Sequence, residues 1–418
     1  MTAGRLVAGA ARADITPTDL RGLNPFGPDF VAVRDRLHAR ALVVGDGATR
    51  VALVSLDLVE VGDTTEVRRR VEREAGIPAD RVMLAATHAH NAPRVGLVPP
   101  GGKARIPTAE SLAYTSFVDD VIVAVVREAA AAVRPVSMGV AREPVDVNVC
   151  REAYVGGRWT LGYVPDGESD KTLGVVSFVA DDGAVVAAVL NYAVHSTVLL
   201  GIPELSADLA GAACTQVERL LGGDVVVLWT ASSLGDQAPK VELGVAKAGL
   251  VVASGDPEQD RAFGYAAVDA QGFVLAATAT RLVRAPQRRR STGPVRGALR
   301  VIPCPARRLE VPPGMEQADV DTVELTLTCL TIGPVAFAGV SGEVTVPVGR
   351  AVVAASPLAA TFVVSIANAR IGYLPTDESY DRSTQAAEGC PIVQGYAQRT
   401  IVDGLAAMVS AAVPGEGA

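Results

Sequence analysis

The stretch Val82-Met83-Leu84-Ala85-Ala86-Thr87-His88-Ala89-His90-Asn91 runs from five uncharged apolar residues straight into a polar segment that carries two histidines. An apolar run of strand length without polar alternation predicts a strand over Val82 to Ala86 that is buried on both faces. Val185 to Val194, followed by His195, repeats the design. Strands of this kind need covering layers, so the two stretches point to an α/β fold. Working outward, Val-rich runs predict further strands at Ala41 to Val44, Val51 to Leu58, Gly174 to Val179, Val185 to Tyr192, Val225 to Trp229, Val335 to Gly339 and Phe362 to Ile366. Helices are expected at Thr64 to Ala75, Ser111 to Val133, Ala207 to Leu221 and Glu258 to Val283. Ser206 and the Asp256-Pro257 pair supply N-cap and first-turn chemistry for the last two. The expected architecture is a mixed, mostly parallel central sheet covered by helices on both faces. No Gly-rich boundary with a shift in composition divides residues 1–418, so a single large domain is expected.

Composition narrows the partners. Lys plus Arg total 38 against 46 Asp plus Glu, a formal charge of −8, which argues against a protein that must neutralise nucleic-acid phosphates. A small-molecule substrate is the expected partner, and the oligomeric state is not legible. Apolar residues make up 49% of the chain and aromatics 4%, so the core must be built from Ala, Val and Leu, and a disordered chain is excluded. The five cysteines show no CxxC spacing, and Arg5, Arg12 and Asp14 interrupt the apolar character of the N-terminus. A reducing, cytoplasmic location follows as an expectation. Ala351 to Ala369 carries no charge, but Ser356-Pro357 divides it into a helix near 347–355 and a strand near 361–367, so no integral membrane segment is expected. Pro99 to Thr108 and Pro286 to Gly297, the latter with Arg288-Arg289-Arg290, read as surface insertions.

The chain has only four histidines, and three of them, His88, His90 and His195, stand just past Val-rich strands. In α/β sheets, ligands collect outside the carboxyl ends of strands, which allows both histidine sites to share one crevice. Glu343, in Val340-Ser341-Gly342-Glu343-Val344, follows the strand Val335 to Gly339 and occupies the same kind of position. Two histidines and one carboxylate make a zinc site with an open position. The same residues also read as strand-end histidines bonded to backbone, and as a glutamate favoured by a helix dipole.

Seven short motifs occur in order: Gly9-Ala10-Ala11-Arg12-Ala13-Asp14-Ile15-Thr16-Pro17, Ala39-Arg40-Ala41-Leu42-Val43, Ala86-Thr87-His88-Ala89-His90, Asn191-Tyr192-Ala193-Val194-His195, Gly235-Asp236-Gln237-Ala238-Pro239, Ser341-Gly342-Glu343 and Gly372-Tyr373-Leu374-Pro375-Thr376. Together they resemble the catalytic domain of the neutral/alkaline ceramidase family, from about residue 7 to 412. The resemblance implies a zinc-dependent amide hydrolase. It implies His88, His195, Glu343 and Tyr373 as metal ligands, with His90 and Arg151 close to the reacting carbonyl. Asp236, Ala238 and Gln385 fall at positions implied to bind substrate.

The departures are specific. Where ceramidases continue their Gly-Asp motif to a serine before the proline, this chain has Ala238, and near Gln385 it lacks their tyrosine. It is also expected to lack their immunoglobulin-like C-terminal domain and their secretion signal. The implied reaction is therefore hydrolysis of a C–N bond in a small molecule other than ceramide, by metal-activated water. The alternatives are a zinc enzyme of another reaction type (ester or lactone hydrolysis, reverse amidation, a lyase step) and a non-catalytic metal- or ligand-binding descendant.

Overall fold

The Val-rich stretches form strands close to their expected bounds in a computed structural model that describes residues 4–95, 101–102, 104–243, 254–285, 288–311 and 314–413. Eight strands make the large sheet: β1 (Val7–Asp14), β2 (His38–Gly45), β3 (Arg50–Leu56), β4 (Val82–Ala86), β5 (Arg134–Pro144), β6 (Thr172–Ala180), β7 (Val185–Tyr192) and β8 (Val226–Ala231). Their spatial order is β8-β7-β6-β5-β1-β2-β3-β4. A second sheet holds β9 (Val295–Pro305), β10 (Thr322–Ile332), β11 (Val335–Val340) and β12 (Ala360–Val364), in that order. The longer helices are α1 (Thr65–Ala75), α2 (Ala109–Ala131), α3 (Asp208–Leu221), α4 (Pro257–Arg284), α5 (Val346–Ala355) and α6 (Ala397–Ala412). Asp256 caps α4 as expected, accepting from the N–H groups of Glu258 and Gln259. Among the described residues no helix is long and apolar enough to cross a membrane, and the uncharged segment does divide into α5 and β12.

The mixed sheet is as expected; the mostly parallel pairing is not. Five pairings in the large sheet are antiparallel, and only β7–β8 and β3–β4 are parallel. The reason lies in strands the Val-rich pattern passes over. β1 (VAGAARAD) and β5 (RPVSMGVAREP) carry Gly, Arg and Pro and are buried on only part of their surface, so they lack the continuous apolar signature of a doubly covered strand.

The second correction concerns the layers. Helices cover one face of each sheet rather than both faces of one. α1 and α2 pack outside β1–β4 through Val67, Val71, Val118 and Ile122, while α3 and α4 pack outside β6–β8 through Val217 and Leu275. α5 and α6 cover the second sheet with Val348, Val352, Ile401 and Leu405. The inward faces meet each other: Leu42, Leu53, Phe178 and Leu228 of the large sheet share a core with Leu330, Phe337 and Phe362 of the small one.

β1 joins β5 through only two residue pairs, Val7–Pro135 and Ala8–Arg134, so the large sheet folds sharply there. That fold lays β8 against β3, where the Ser55 hydroxyl donates to the Trp229 carbonyl at 2.7 Å and accepts from its backbone N–H at 3.3 Å. Strands far apart in sheet order thus finish side by side, which brings the ends of β4 and β7 to one place. The stretches read as surface insertions are anchored. Gly101 and Gly102 are buried against Val323 and Ile371, and Arg290 exchanges backbone hydrogen bonds with Met138 in β5. Pro99, Pro100, Lys103, Pro286 and Gln287 lie outside the described residues.

Candidate metal centre

His88, His195 and Glu343 each follow the carboxyl end of a strand that belongs to a parallel pair, whereas Arg151 lies within the strand Asn148–Val155, whose pairings are antiparallel. His88 follows β4 in the left-handed region (φ 64°), which turns its ring out of the strand pleat. Such a conformation costs roughly 1–2 kcal/mol and must be held by its surroundings. Its Nδ1 lies 2.6 Å from the Val59 carbonyl, which fixes the ring. His195 follows β7, with Nδ1 2.8 Å from the Gln237 carbonyl. The two loops are stitched together by the His90 N–H, which donates to the Ser196 carbonyl at 3.0 Å.

Glu343 arrives from the small sheet. Residues 343–344 pair in parallel with residues 373–374, placing Glu343 directly beside Tyr373. The loop between β12 and Tyr373 also contains left-handed residues, Ile366 (φ 54°) and Asn368 (φ 62°). Asn368 ties it to β4, accepting from the Leu84 N–H at 2.9 Å and donating to the Val82 carbonyl at 2.9 Å.

The ring nitrogens of His88, His90 and His195 offer ligand atoms within 4.8 Å of one another. The Glu343 Oε2 stands 3.1 Å from the His195 Nε2 and 3.5 Å from the His88 Nε2, and the His90 Nε2 is 3.1 Å from the His88 Nε2. A backbone carbonyl can only accept, so the Nδ1 atoms of His88 and His195 carry the hydrogens. An imidazole that donates through Nδ1 has Nε2 as its only site for a lone pair, and both Nε2 atoms face a carboxylate oxygen. Burial first, then the neighbouring charges of Arg151 and His88, hold His195 well below the usual imidazole range. Burial first, then His88 and His195, do the same for His90. Burial alone would raise the Glu343 carboxyl, but Arg370, His88 and His195 outweigh it and hold it well below the usual range. A set of converging imidazole nitrogens and a carboxylate fits a divalent cation.

Two guanidinium groups, of Arg370 and Arg151, flank this core. Arg370 grips the other Glu343 oxygen, Oε1, with Nε at 2.9 Å and a terminal nitrogen at 2.7 Å, leaving Oε2 to face the histidines. Glu60 meets Arg370 from the opposite side at 3.2 Å. Arg151, 5% exposed, donates to the Tyr373 hydroxyl at 3.0 Å and to the Gly235 carbonyl at 2.8 Å, while its Nε finds no partner among the described residues. Phe26 lies flat on His90, with ring centroids 4.6 Å apart and planes at 9°.

Residues 7–254 match the model of the family described as neutral/alkaline non-lysosomal ceramidase, N-terminal. The chain belongs to that family. Its fold is similar to the crystal structure of neutral ceramidase from Pseudomonas aeruginosa, at 20% identity and a TM-score of 0.76, covering 99% of this chain and 76% of that one. It is equally similar to a ceramidase complexed with C2, at 19% identity and a TM-score of 0.76, covering 97% and 76%. No curated protein sequence matches the chain.

Within this ceramidase-family fold, the positions singled out by resemblance fall into two groups. His88, His90, His195, Glu343, Tyr373 and Arg151 come together. Asp236 turns its carboxylate away from them onto the Val346 N–H, at 3.0 and 3.2 Å, at the start of α5. Ala238 is 1% exposed and pairs with Val149 beside the Arg151 strand. Gln385 is half-buried in a short helix, Gln385–Glu388, and lines a hollow of about 800 Å³ with Tyr154, Trp159 and Arg382. That helix backs the tyrosine closely: a Cβ on Gly389 would come 2.4 Å from the Tyr373 ring. Residue reading missed Arg370, Glu60 and Phe26. Arg370 had a signal, being the first charge after the long uncharged run; Glu60 and Phe26 sit in loops without periodic pattern.

Burial pushes the Asp236 carboxyl up to about 7, against the lowering effect of the Val346 N–H and Gln237. The folded protein therefore holds this proton longer than the unfolded chain does. Its contribution to stability is fully present below the ordinary aspartate pKa, near 3.8, and is lost as pH rises through about 7. Asp236→Asn is expected to remove that loss while keeping an acceptor for Val346. Melting temperatures of the two proteins should diverge in favour of the variant between pH 4 and 8, and parallel curves would contradict the assignment.

Proposed function

We propose that the protein is a zinc-dependent amidohydrolase that cleaves the C–N bond of a small acylated molecule other than long-chain ceramide. The observation that carries this reading is the convergence of the His88 and His195 Nε2 atoms on the Glu343 Oε2, with both Nδ1 atoms committed to carbonyls. His88, His195, Glu343 and Tyr373 would hold the metal. Burial, then the Glu343 carboxylate, push the Tyr373 phenol up, so it serves as a neutral and weak ligand. When bound, the ion supplies Lewis acidity toward a carbonyl oxygen and makes water a nucleophile near neutral pH.

The remaining steps belong to the chain. Arg151, anchored through Gly235 and Tyr373, has its Nε left to donate to the substrate carbonyl as negative charge develops on the oxygen. His90, held neutral at pH 7 by burial, accepts the proton of the attacking water and returns it to the departing nitrogen as the C–N bond breaks. Ala238 offers no hydroxyl at the position where the family resemblance implies serine, so water rather than a side chain is the nucleophile in this reading. His88 and His195 come from the large sheet and Glu343 and Tyr373 from loops of the small one. That division supports residues 1–418 acting as one catalytic domain. Five buried thiols without a disulfide support a cytoplasmic location.

A panel of soluble acyl amides and long-chain ceramide, with and without chelator, tests the proposal. Chelator-sensitive release of amine from a soluble amide is expected, with little from ceramide and at most a modest change on Ala238→Ser. A silent zinc-loaded protein that gains activity on Ala238→Ser would favour the binding-protein reading instead. Arg370→Ala should free Glu343 to rotate and lower zinc affinity about 10- to 100-fold, as is usual when a partner of a metal ligand is lost. Chelator competition measures this, and unchanged affinity would remove Arg370 from the site.

A further inference from the structure

His90 has two neighbourhoods. Its Nε2 stands 3.1 Å from the His88 Nε2, and the residue also borders a hollow of about 200 Å³ that none of the other metal-site residues lines. Phe26, Phe30, Leu200 and Ile202 give this hollow apolar walls, and Asn91 lines it beside His90. The walls are braced. The Asn24 side chain accepts from the Phe26 N–H at 3.0 Å and donates to the Pro28 carbonyl at 2.6 Å, and residues 32–33 pair in parallel with residues 204–205. Asn91, 3% exposed, commits its side-chain NH₂ to the carbonyls of Ile202 at 2.8 Å and Glu204 at 3.0 Å. Those two bonds fix which way the amide lies, and its Oδ1 is left without a partner among the described residues. A buried acceptor without a donor is uncommon, and one on a residue that lines a hollow can take its donor from whatever fills the hollow.

We propose that this hollow holds the substituent on the scissile nitrogen, the part of the substrate that leaves as the amine, and that Asn91 selects a substituent carrying an O–H or N–H donor. The amine side is assigned because the inference rests on the reading of His90 as the group that returns a proton to the departing nitrogen. What that nitrogen carries must then lie alongside His90, in the space His90 borders. Volume limits its size: at about 30 Å³ each, roughly six or seven non-hydrogen atoms fit. Charge limits its nature. No charged side chain lines the hollow among the described residues, so an ammonium or carboxylate there would be buried without a counter-charge. The leaving amine is thus compact, uncharged beyond the scissile nitrogen, and bears one hydrogen-bond donor for the Asn91 Oδ1.

The test uses butanoyl amides that differ only on nitrogen, with the zinc-loaded full chain. The N-carbamoylmethyl amide is set against its isostere N-acetonyl, and N-(2-hydroxyethyl) against N-propyl. In each pair kcat/KM should favour the member with the donor ~10- to 100-fold, because the other leaves a buried acceptor unmet. Asn91→Leu should erase that preference. Because this variant also gives up the bonds to Ile202 and Glu204, Leu200→Trp provides a second reading: by filling the hollow it should lower the ratio of kcat/KM for the carbamoylmethyl amide to that for unsubstituted butanamide at least ~10-fold. Equal rates within both pairs, or a preference that survives both substitutions, would overturn the inference while leaving amide hydrolysis itself in place. Turnover of none of these amides counts against the amidohydrolase reading instead. Saturation-transfer NMR of the carbamoylmethyl amide on the same chain then decides: stronger transfer to the nitrogen-side CH₂ than to the acyl methyl, lost in Leu200→Trp, is expected, and the reverse order or no transfer overturns the inference.

Discussion

His195→Ala is expected to yield protein without zinc and with turnover reduced on the order of 10⁴-fold or more, the largest single effect in the molecule. The side chain is fully buried and its Nε2 is the nitrogen closest to the Glu343 Oε2, at 3.1 Å. Its removal leaves one imidazole, a weak phenol and a carboxylate whose Oε1 Arg370 already holds. Because His195 Nδ1 also bonds the Gln237 carbonyl, the variant loses a buried hydrogen bond, typically worth about 1 kcal/mol. Stability and metal loss must therefore be separated. The variant should melt close to chelator-treated wild type, whereas a much lower melting temperature would mark a folding defect. Elemental analysis is decisive: one zinc per chain in the purified variant would dismiss His195 as a ligand.

The part of the fold that carries the site was the part most legible in the residues. β4, β7, β11 and β12 are Val-rich strands in parallel pairs, buried on both faces, and their runs end where His88, His195, Glu343 and the Tyr373 loop begin. β4 and β7 even match at Val82–Ala86 and Val185–Tyr192 residue for residue. The antiparallel strands between them were not legible. β1 and β5 are half-exposed and broken by Gly, Arg and Pro, and β9 is exposed at several positions along its length. Without those strands, neither the direction of pairing nor the stacking of two sheets can be read from periodicity. Convergence of the ligands was legible only as a general property of strand ends. It depends on the sharp fold at the β1–β5 junction, where two residue pairs suffice, and no local pattern encodes that. Arg370 illustrates a different gap: it lies 27 positions from Glu343 in the chain, and only the left-handed turns at Ile366 and Asn368 bring it back.

His90→Ala should separate metal binding from proton transfer. Turnover is expected to fall ~10²- to 10⁴-fold, the range for a lost acid/base group, with zinc retained. The geometry allows two assignments for the HxH pair, because all three histidines offer nitrogens within 4.8 Å of one another. Two features favour His88 as the ligand and His90 as the base. His88 has its Nδ1 committed to Val59 and its Nε2 aimed at Glu343, while the buried His90 Nδ1 has no partner among the described residues and its ring is clamped by Phe26. A base must keep one nitrogen uncommitted. Burial and the neighbouring histidines hold His90 well below the ordinary imidazole value, so it is unprotonated at neutral pH and loses function only as acid protonates it. The acidic limb of kcat/KM in the wild type should thus lie below pH 6.5 and be absent from the residual activity of the variant. Phe26→Ala, which releases the ring without removing it, should show a smaller loss with the limb still present. Zinc lost from His90→Ala, or a limb that survives the substitution, would exchange the roles of His88 and His90.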